Sequence, residues 1–173
     1  HADNTDGVGL LRDLKPYVTL AGANILILGA GGAARGIIHP LLAEQPHTLC
    51  IANRSSRPLN ELKSSIAGIE CRTLLDLDGQ FDLIINATSA GLAGTELLVP
   101  ASLLRHRPFC YDVLYSLKAP TAFIDFARDR GCPTRDGLGM LVEQAAESFY
   151  LWHGVRPDST PVLHYLKDKT ARL

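Results

Sequence analysis

Ile25-Leu26-Ile27-Leu28-Gly29-Ala30-Gly31-Gly32-Ala33-Ala34-Arg35 carries an apolar strand straight into a glycine-rich turn that opens a helix. Gly29 permits the tight turn, Gly31 lets the backbone come close to a phosphate, and Ala34 takes the third position of G-x-G-x-x-G/A, where a small residue lets helix and strand pack. The N–H groups that a helix leaves unpaired at its start, with its dipole, favour an anion at such a turn. A turn of this kind can also serve packing alone. The strand before it, the helix after it and a second strand at the right distance point instead to a dinucleotide pyrophosphate held by Gly29, Ala30, Gly31, Gly32 and Ala33.

The second strand indicates which dinucleotide. Leu49-Cys50-Ile51-Ala52 ends at Asn53-Arg54-Ser55-Ser56-Arg57, roughly twenty residues past Gly29, where an NAD-binding fold places Asp or Glu against the ribose 2′-OH. No carboxylate stands there. Asn53 can hydrogen-bond the ribose or its phosphate, Arg54 can stack on adenine and contact a 2′-phosphate, and Arg57 can reach that phosphate from the next helical turn. The expected cofactor is therefore NADP(H), with each charge-assisted contact contributing roughly 1.5–3 kcal/mol. The alternative is a pair of solvated surface cations.

The chain has 173 residues, 46% of them hydrophobic, and a formal net charge of −1, which fits one globular domain with a sizeable core. It has no basic run for nucleic acid and no apolar segment near the ~20 residues that span a bilayer. The chain starts at His1 with neither an initiator methionine nor a signal-peptide pattern, so it reads as cut from a longer protein. Cys50, Cys71, Cys110 and Cys132 form no C-x-x-C pair and sit in or beside apolar runs, so they are expected as reduced thiols of a cytoplasmic protein. The six histidines show no ligand spacing, and no metal site is expected.

Strand and helix signals alternate along the chain: strand 24–29, helix 32–44, strand 48–53, helix 58–66, strands 70–74 and 81–86, strand 109–113, helix 120–130 and strand 133–135. Repeated units of this kind predict an α/β fold, a Rossmann-like doubly wound parallel sheet of about six strands with right-handed crossovers. Residues 137–153 and 161–171 then read as helices with no strand between them, extra elements that cover something outside the sheet. Residues 1–20 are expected to form a hinge segment and helix, 21–136 the nucleotide-binding domain and 137–173 the terminal helices.

Further motifs fall at strand ends, the edge where open α/β sheets bind ligands. Asn86-Ala87-Thr88-Ser89-Ala90-Gly91 follows one strand, and its small polar groups, Thr88 and Ser89 among them, can line ribose and pyrophosphate or simply close a turn. Tyr111-Asp112-Val113-Leu114-Tyr115 ends another; Val113 can pack on a nicotinamide or in the core, and Tyr115 can reach a substrate or sit on the rim. Asn4-Thr5-Asp6-Gly7 precedes the amphipathic run Val8-Gly9-Leu10-Leu11, where Asp6 is either a helix N-cap or a functional carboxylate. Asp136-Gly137-Leu138-Gly139-Met140-Leu141-Val142-Glu143-Gln144 opens the long helix with glycines that allow close backbone approach.

Taken together, Asn4-Thr5-Asp6-Gly7, Gly29-Ala30-Gly31-Gly32-Ala33 with Arg35, Asn53-Arg54-Ser55, Asn86-Ala87-Thr88-Ser89, Tyr111-Asp112 with Tyr115, and Gly137-Leu138-Gly139-Met140-Leu141 with Gln144 resemble the shikimate dehydrogenase family, over what looks like its carboxyl-terminal two-thirds. The resemblance implies NADPH-dependent reduction of 3-dehydroshikimate to shikimate in aromatic amino-acid biosynthesis. It implies Asp6 as the catalytic aspartate that works with a lysine, Asp6, Tyr115 and Gln144 on the substrate, and Gly137 and Met140 with Val113 on the cofactor side. Its partner would be a small molecule, with no nucleic acid or membrane, and the protein would be a monomer or homodimer.

The family's lysine and substrate loop belong to a domain that precedes the Asn4-Thr5-Asp6-Gly7 segment, and none of Lys15, Lys63, Lys118, Lys167 and Lys169 matches that lysine. Val113 stands where many members carry Met, and Ala119-Pro120-Thr121 departs from the family's order of Thr before Pro. Two alternatives stay open. One is the related quinate/shikimate type, whose members often carry an acid where Asn53-Arg54 stands; the other is a non-catalytic NADP(H)-binding module, against which Asp6 and Gln144 speak.

Overall fold

The structure, a computed structural model, describes residues 3–89 and 99–170. Its strands are β1 (Asn24–Leu28), β2 (Thr48–Asn53), β3 (Glu70–Thr73), β4 (Leu83–Asn86), β5 (Phe109–Asp112) and β6 (Thr134–Asp136). They form one parallel sheet in the order β3-β2-β1-β4-β5-β6. The inner strands are apolar at consecutive positions because both faces are covered. Ile25, Ile27, Leu49, Ile51, Ile85 and Tyr111 enter one core, and Leu26, Leu28, Cys50, Ala52, Ile84 and Cys110 enter the other. Successive side chains leave a strand on opposite faces, which is what splits each run between the two cores.

Helices α2 (Gly32–Ala43) and α3 (Ser56–Ser65) pack on the first face, and α4 (Ala122–Arg128) on the second. Strand order reverses between β1 and β4, so the carboxyl ends of those two strands flank the switch point of the sheet. α1 (Asp6–Leu14), α5 (Leu138–His153) and α6 (Thr160–Thr170) complete the described helices.

Element boundaries shift by one or two residues from the sequence expectation. β1 ends at Leu28, where Gly29 takes φ 101°, although the Gly29 N–H still makes the parallel-ladder bond to the Ala52 carbonyl at 2.7 Å. β4 starts at Leu83; just before it, the Asp82 N–H still reaches the Asn24 carbonyl at 2.9 Å while its carboxylate accepts the Asn24 N–H at 2.8 Å. β3 yields to a 3-10 turn over Leu74–Asp76, and α4 opens only after Thr121, whose hydroxyl accepts the Ile124 N–H at 3.3 Å. The N-cap reading of Asp6 is corrected: Asp6 lies inside the first turn of α1, and its N–H is taken by Asn4 Oδ1 at 2.8 Å. Four cysteines are free thiols, and burial pushes Cys50 up to about 11.

The packing of α1 on α5 and the sheet turns on one buried carboxylate. Asp13 is 4% exposed. Its Oδ2 accepts the Tyr111 hydroxyl from β5 at 2.8 Å, and its Oδ1 accepts the Arg135 guanidinium from β6. Arg135 donates onward to the Tyr17 hydroxyl at 3.0 Å and lies 4.4 Å from that ring's centre. Gly139 gives the carboxylate its room, because a side chain there would occupy the space of Asp13, and Gly9 likewise lies against the Gln144 backbone of α5. Loss of one partner from a buried ion pair strands the other, at about 3–5 kcal/mol. Asp13→Asn is therefore expected to lower stability by about 3 kcal/mol in urea denaturation, with part of the loss recovered when Arg135→Met is added.

Candidate functional site

The glycine turn divides its labour between fold and open space. Gly29 is held: a side chain would start 2.9 Å from the Ala87 carbonyl oxygen, and φ 101° disfavours any other residue. Ala30 and Ala34 are buried in the core and Ala33 is half-buried against it. Gly31 and Gly32 are exposed, and among the described residues nothing lies within 4 Å of where their side chains would begin. Gly31 caps α2 with no side-chain hydrogen bond and no acidic residue follows in the first turn, so among the described residues no side chain satisfies the orphan amides of this helix start. A phosphate fits this cradle, and a carboxylate at the helix start does not compete for it.

At the end of β2, the Asn53 amide donates to the Ser55 carbonyl at 3.0 Å and to its hydroxyl at 3.2 Å, which shapes the turn into α3. Ser55 is the N-cap of α3 but makes no side-chain cap. Arg54 is exposed, with no hydrogen bond or ion pair to the described residues. Arg57 projects from the first turn of α3 and meets Glu61 at 3.5 Å, while Arg35 of α2 reaches the same Glu61 at 3.1 Å. The side on which β1 and β2 end thus carries Arg54 on its turn and a further arginine from each of the two helices that follow.

A buried polar brace holds the opposite side of the switch point. Asn86, the last residue of β4, donates to Asp112 Oδ1 at 3.0 Å across to β5. Asp112 also accepts the Leu114 N–H at 3.1 Å and the Thr121 hydroxyl at 2.5 Å. Burial pushes the Asp112 carboxyl above its ordinary range, against the pull of these donors. Asn86 Oδ1 in turn accepts the Thr88 N–H at 3.2 Å and hydroxyl at 2.7 Å. The brace therefore fixes both loops that leave the edge, one carrying Thr88 and the exposed Ser89, the other running from Val113 past Tyr115. Ala90 and Gly91 lie outside the described residues. The sequence singled out these segments but not the brace; its only signal was a polar residue ending each of two buried runs, Ile85-Asn86 and Tyr111-Asp112. Thr121, in the segment where the family's order is broken, acts both as third partner of Asp112 and as cap of α4.

The remaining site residues divide. Val113 is half-buried against the core, and its carbonyl lies so close to Gly137 that no side chain fits there; the Gly137 N–H donates to the Leu114 carbonyl at 3.1 Å. Met140 is buried in the core. Asp6 and Gln144 sit on adjacent helices, α1 and α5, drawn together where Gly9 meets Gln144 and where the Thr5 hydroxyl lies 3.2 Å from that of Ser148. Asp6 Oδ2 lies 3.1 Å from where a side chain on Gly36 would start, one turn into α2, and the carboxylate accepts no hydrogen bond from the described residues. Tyr115 is 39% exposed on the loop after β5 and bonds to neither. Among the described residues no metal-binding cluster occurs and no helix is long and apolar enough to cross a membrane.

A parallel sheet in this strand order, with an open glycine turn at its switch point, defines a dinucleotide-binding α/β protein. The chain belongs to the shikimate/quinate 5-dehydrogenase family, whose model matches residues 12–104, while the shikimate 5′-dehydrogenase carboxyl-terminal domain matches 137–164. It is 51% identical over 167 residues to the shikimate dehydrogenase (NADP(+)) of Legionella pneumophila (strain Lens), an alignment covering 96% of this chain and 63% of that protein. Among solved structures it is similar to an Ael1 enzyme from Pseudomonas putida, with a TM-score of 0.88 and 39% identity over 95% of this chain and 63% of the other. It is also similar to the Thermus thermophilus shikimate 5-dehydrogenase in complex with NADP(H) and shikimate, with a TM-score of 0.81 and 29% identity over 98% of this chain and 62% of the other. The chain thus spans 63% of the length of the Legionella relatives it matches.

The two glycines of the turn should separate in experiment. Gly29→Ala is expected to destabilise the fold by about 1–3 kcal/mol, the range for a residue forced into a disfavoured backbone region. Gly31→Val, with open space around it, should leave stability in urea denaturation within the small change typical of surface sites, about 0.5 kcal/mol.

Proposed function

We propose that this chain is the NADP(H)-binding part of a shikimate dehydrogenase that reduces 3-dehydroshikimate to shikimate in aromatic amino-acid biosynthesis. The observation that carries the reading is the position of Asp6: a carboxylate free of partners among the described residues stands against α2 at Gly36, one turn from the open glycine cradle, with Gln144 on the adjoining helix. This proximity supports assigning Asp6 and Gln144 to the substrate side of a site whose cofactor side is the glycine turn. A pure nucleotide-binding module has no use for either Asp6 or Gln144.

In this reading Gly29 to Ala33 hold the pyrophosphate, Asn53, Arg54, Ser55 and Arg57 hold the 2′-phosphorylated adenosine, and Thr88, Ser89, Val113, Gly137 and Met140 border the rest of the dinucleotide. A bound nicotinamide would supply the hydride for the substrate carbonyl carbon. Asp6 and Gln144 orient substrate hydroxyls, with Tyr115 at the rim. The Asp6 carboxylate can fix a substrate hydroxyl, and proton delivery to the carbonyl oxygen is the task of a second group. The family resemblance assigns that task to a lysine; Lys15, the lysine of the neighbouring segment, is instead paired with Glu44 at 2.9 Å. Segments 1–20 and 137–173 would then belong to the substrate side and 21–136 to the cofactor. In this reading the protein is cytoplasmic, with which its free cysteines accord, and acts on a small molecule as monomer or homodimer without nucleic acid.

Arg54→Asp is expected to weaken NADPH about 10- to 100-fold, the loss of one charge-assisted contact and its replacement by repulsion, with little change for NADH. Fluorescence titration of both nucleotides measures this, and an equal loss for both would remove Arg54 from the 2′-phosphate. The 173-residue chain should bind NADPH without consuming it when 3-dehydroshikimate is added, followed as nucleotide absorbance. Turnover by this chain would require a proton donor among its own residues.

A further inference from the structure

Two arginines from different helices converge on one carboxylate beside the turns that follow β1 and β2. Glu61, in the second turn of α3, accepts from Arg35 Nη2 through Oε2 at 3.1 Å and faces Arg57 Nε through Oε1 at 3.5 Å. Leu28 and Ala52 are register partners at the ends of neighbouring strands, so the two turns lie side by side and the Arg35–Glu61 pair closes the gap from α2 to α3. Each oxygen of Glu61 thus engages a different guanidinium, one from each side of the nucleotide edge. A phosphate monoester offers the same features, splayed anionic oxygens that suit guanidinium forks.

We propose that Glu61 is a specificity-determining residue: its carboxylate occupies, in the free protein, the arginine pair that a 2′-phosphate draws on, and so sets how far NADPH is preferred to NADH. The inference rests on the NADP(H) reading above and deepens it. A 2′-phosphate carries more charge than one carboxylate, so it wins Arg35 and Arg57 from Glu61, but it does so against that competitor. Helix stability is a weak explanation for Glu61. The Arg57–Glu61 pair has the cation on the N-terminal side, the less favourable order for an i,i+4 pair, and the Arg57 side chain is 91% exposed. Arg35 and Glu61 are also half-exposed, at 43% and 53%, so the pair can open without disturbing the core.

The test is a fluorescence titration of NADPH and of NADH against the wild-type chain, Glu61→Gln and Glu61→Lys, with circular dichroism to verify the fold. Glu61→Gln should tighten NADPH by about two- to five-fold, the range set by an exposed ion pair, while NADH stays unchanged within error. Glu61→Lys should go further in the same direction, and both gains should shrink as salt is raised. Weaker or unchanged NADPH binding in Glu61→Gln, or a gain shared equally by NADH, overturns the proposal and leaves Glu61 as an organiser of the arginines. Equal affinity of the wild-type chain for NADPH and NADH is a different failure, since it overturns the NADP(H) reading itself.

Discussion

Asp13 places a carboxylate where charge is costly, between its own helix α1, α5 and the sheet, and much of the architecture around the site follows from satisfying it. Tyr111 must reach it from β5 and Arg135 from β6, so the two strands on one side of the switch point are tied to α1. Gly139 must lack a side chain for α5 to pass over it. Once these constraints are met, α1 and α5 have little freedom, and Asp6 and Gln144 are carried to fixed places. A buried pair of this kind contributes more to a unique arrangement than to net stability, because desolvation offsets most of its attraction.

The nucleotide edge is built on the opposite principle. Across the switch point Asn86, Asp112 and Thr121 brace the loops after β4 and β5, while on the β1 and β2 side the outward groups are bare glycines, a helix start with no side-chain cap and the exposed Arg54. Rigid support with unfilled donors is what anion binding needs, since donors aligned in advance lose little entropy when the ligand arrives. Membership in the shikimate/quinate 5-dehydrogenase family accords with this division, and the matched regions, 12–104 and 137–164, take in the glycine turn, the brace at Asn86 and the start of α5.

Much was legible in the sequence because it is local. The apolar runs at 25–28, 49–52 and 83–85 fit strands covered on both faces, and the turn chemistry at Gly29 to Gly31 follows from residues next to one another. The absence of a carboxylate at Asn53 and the arginines beside it are likewise read off directly. Strand ends fell one or two residues from those expected, at Gly29, where φ turns positive, and at Asp82 before β4, although both residues keep backbone bonds to the neighbouring strand.

What tertiary structure alone decided are the meetings of residues far apart in the chain. Nothing in the order of residues says that Asp13 is buried, that it needs both Tyr111 and Arg135, or that Asn86 and Asp112 share a hydrogen bond. The same holds for Gly137 and Met140, which a sequence reading sends to the cofactor and the fold uses first for packing, and for Glu61, which looks like an ordinary helix residue until Arg35 arrives from α2. The physical reason is that patterns of apolarity and turn residues are fixed by local sterics and burial, whereas a polar side chain's role depends on which partner the topology delivers to it. The sequence therefore determined the strands, the turn and the identities at the nucleotide edge, and the parallel sheet determined which of those charges and hydrogen-bonding groups act together.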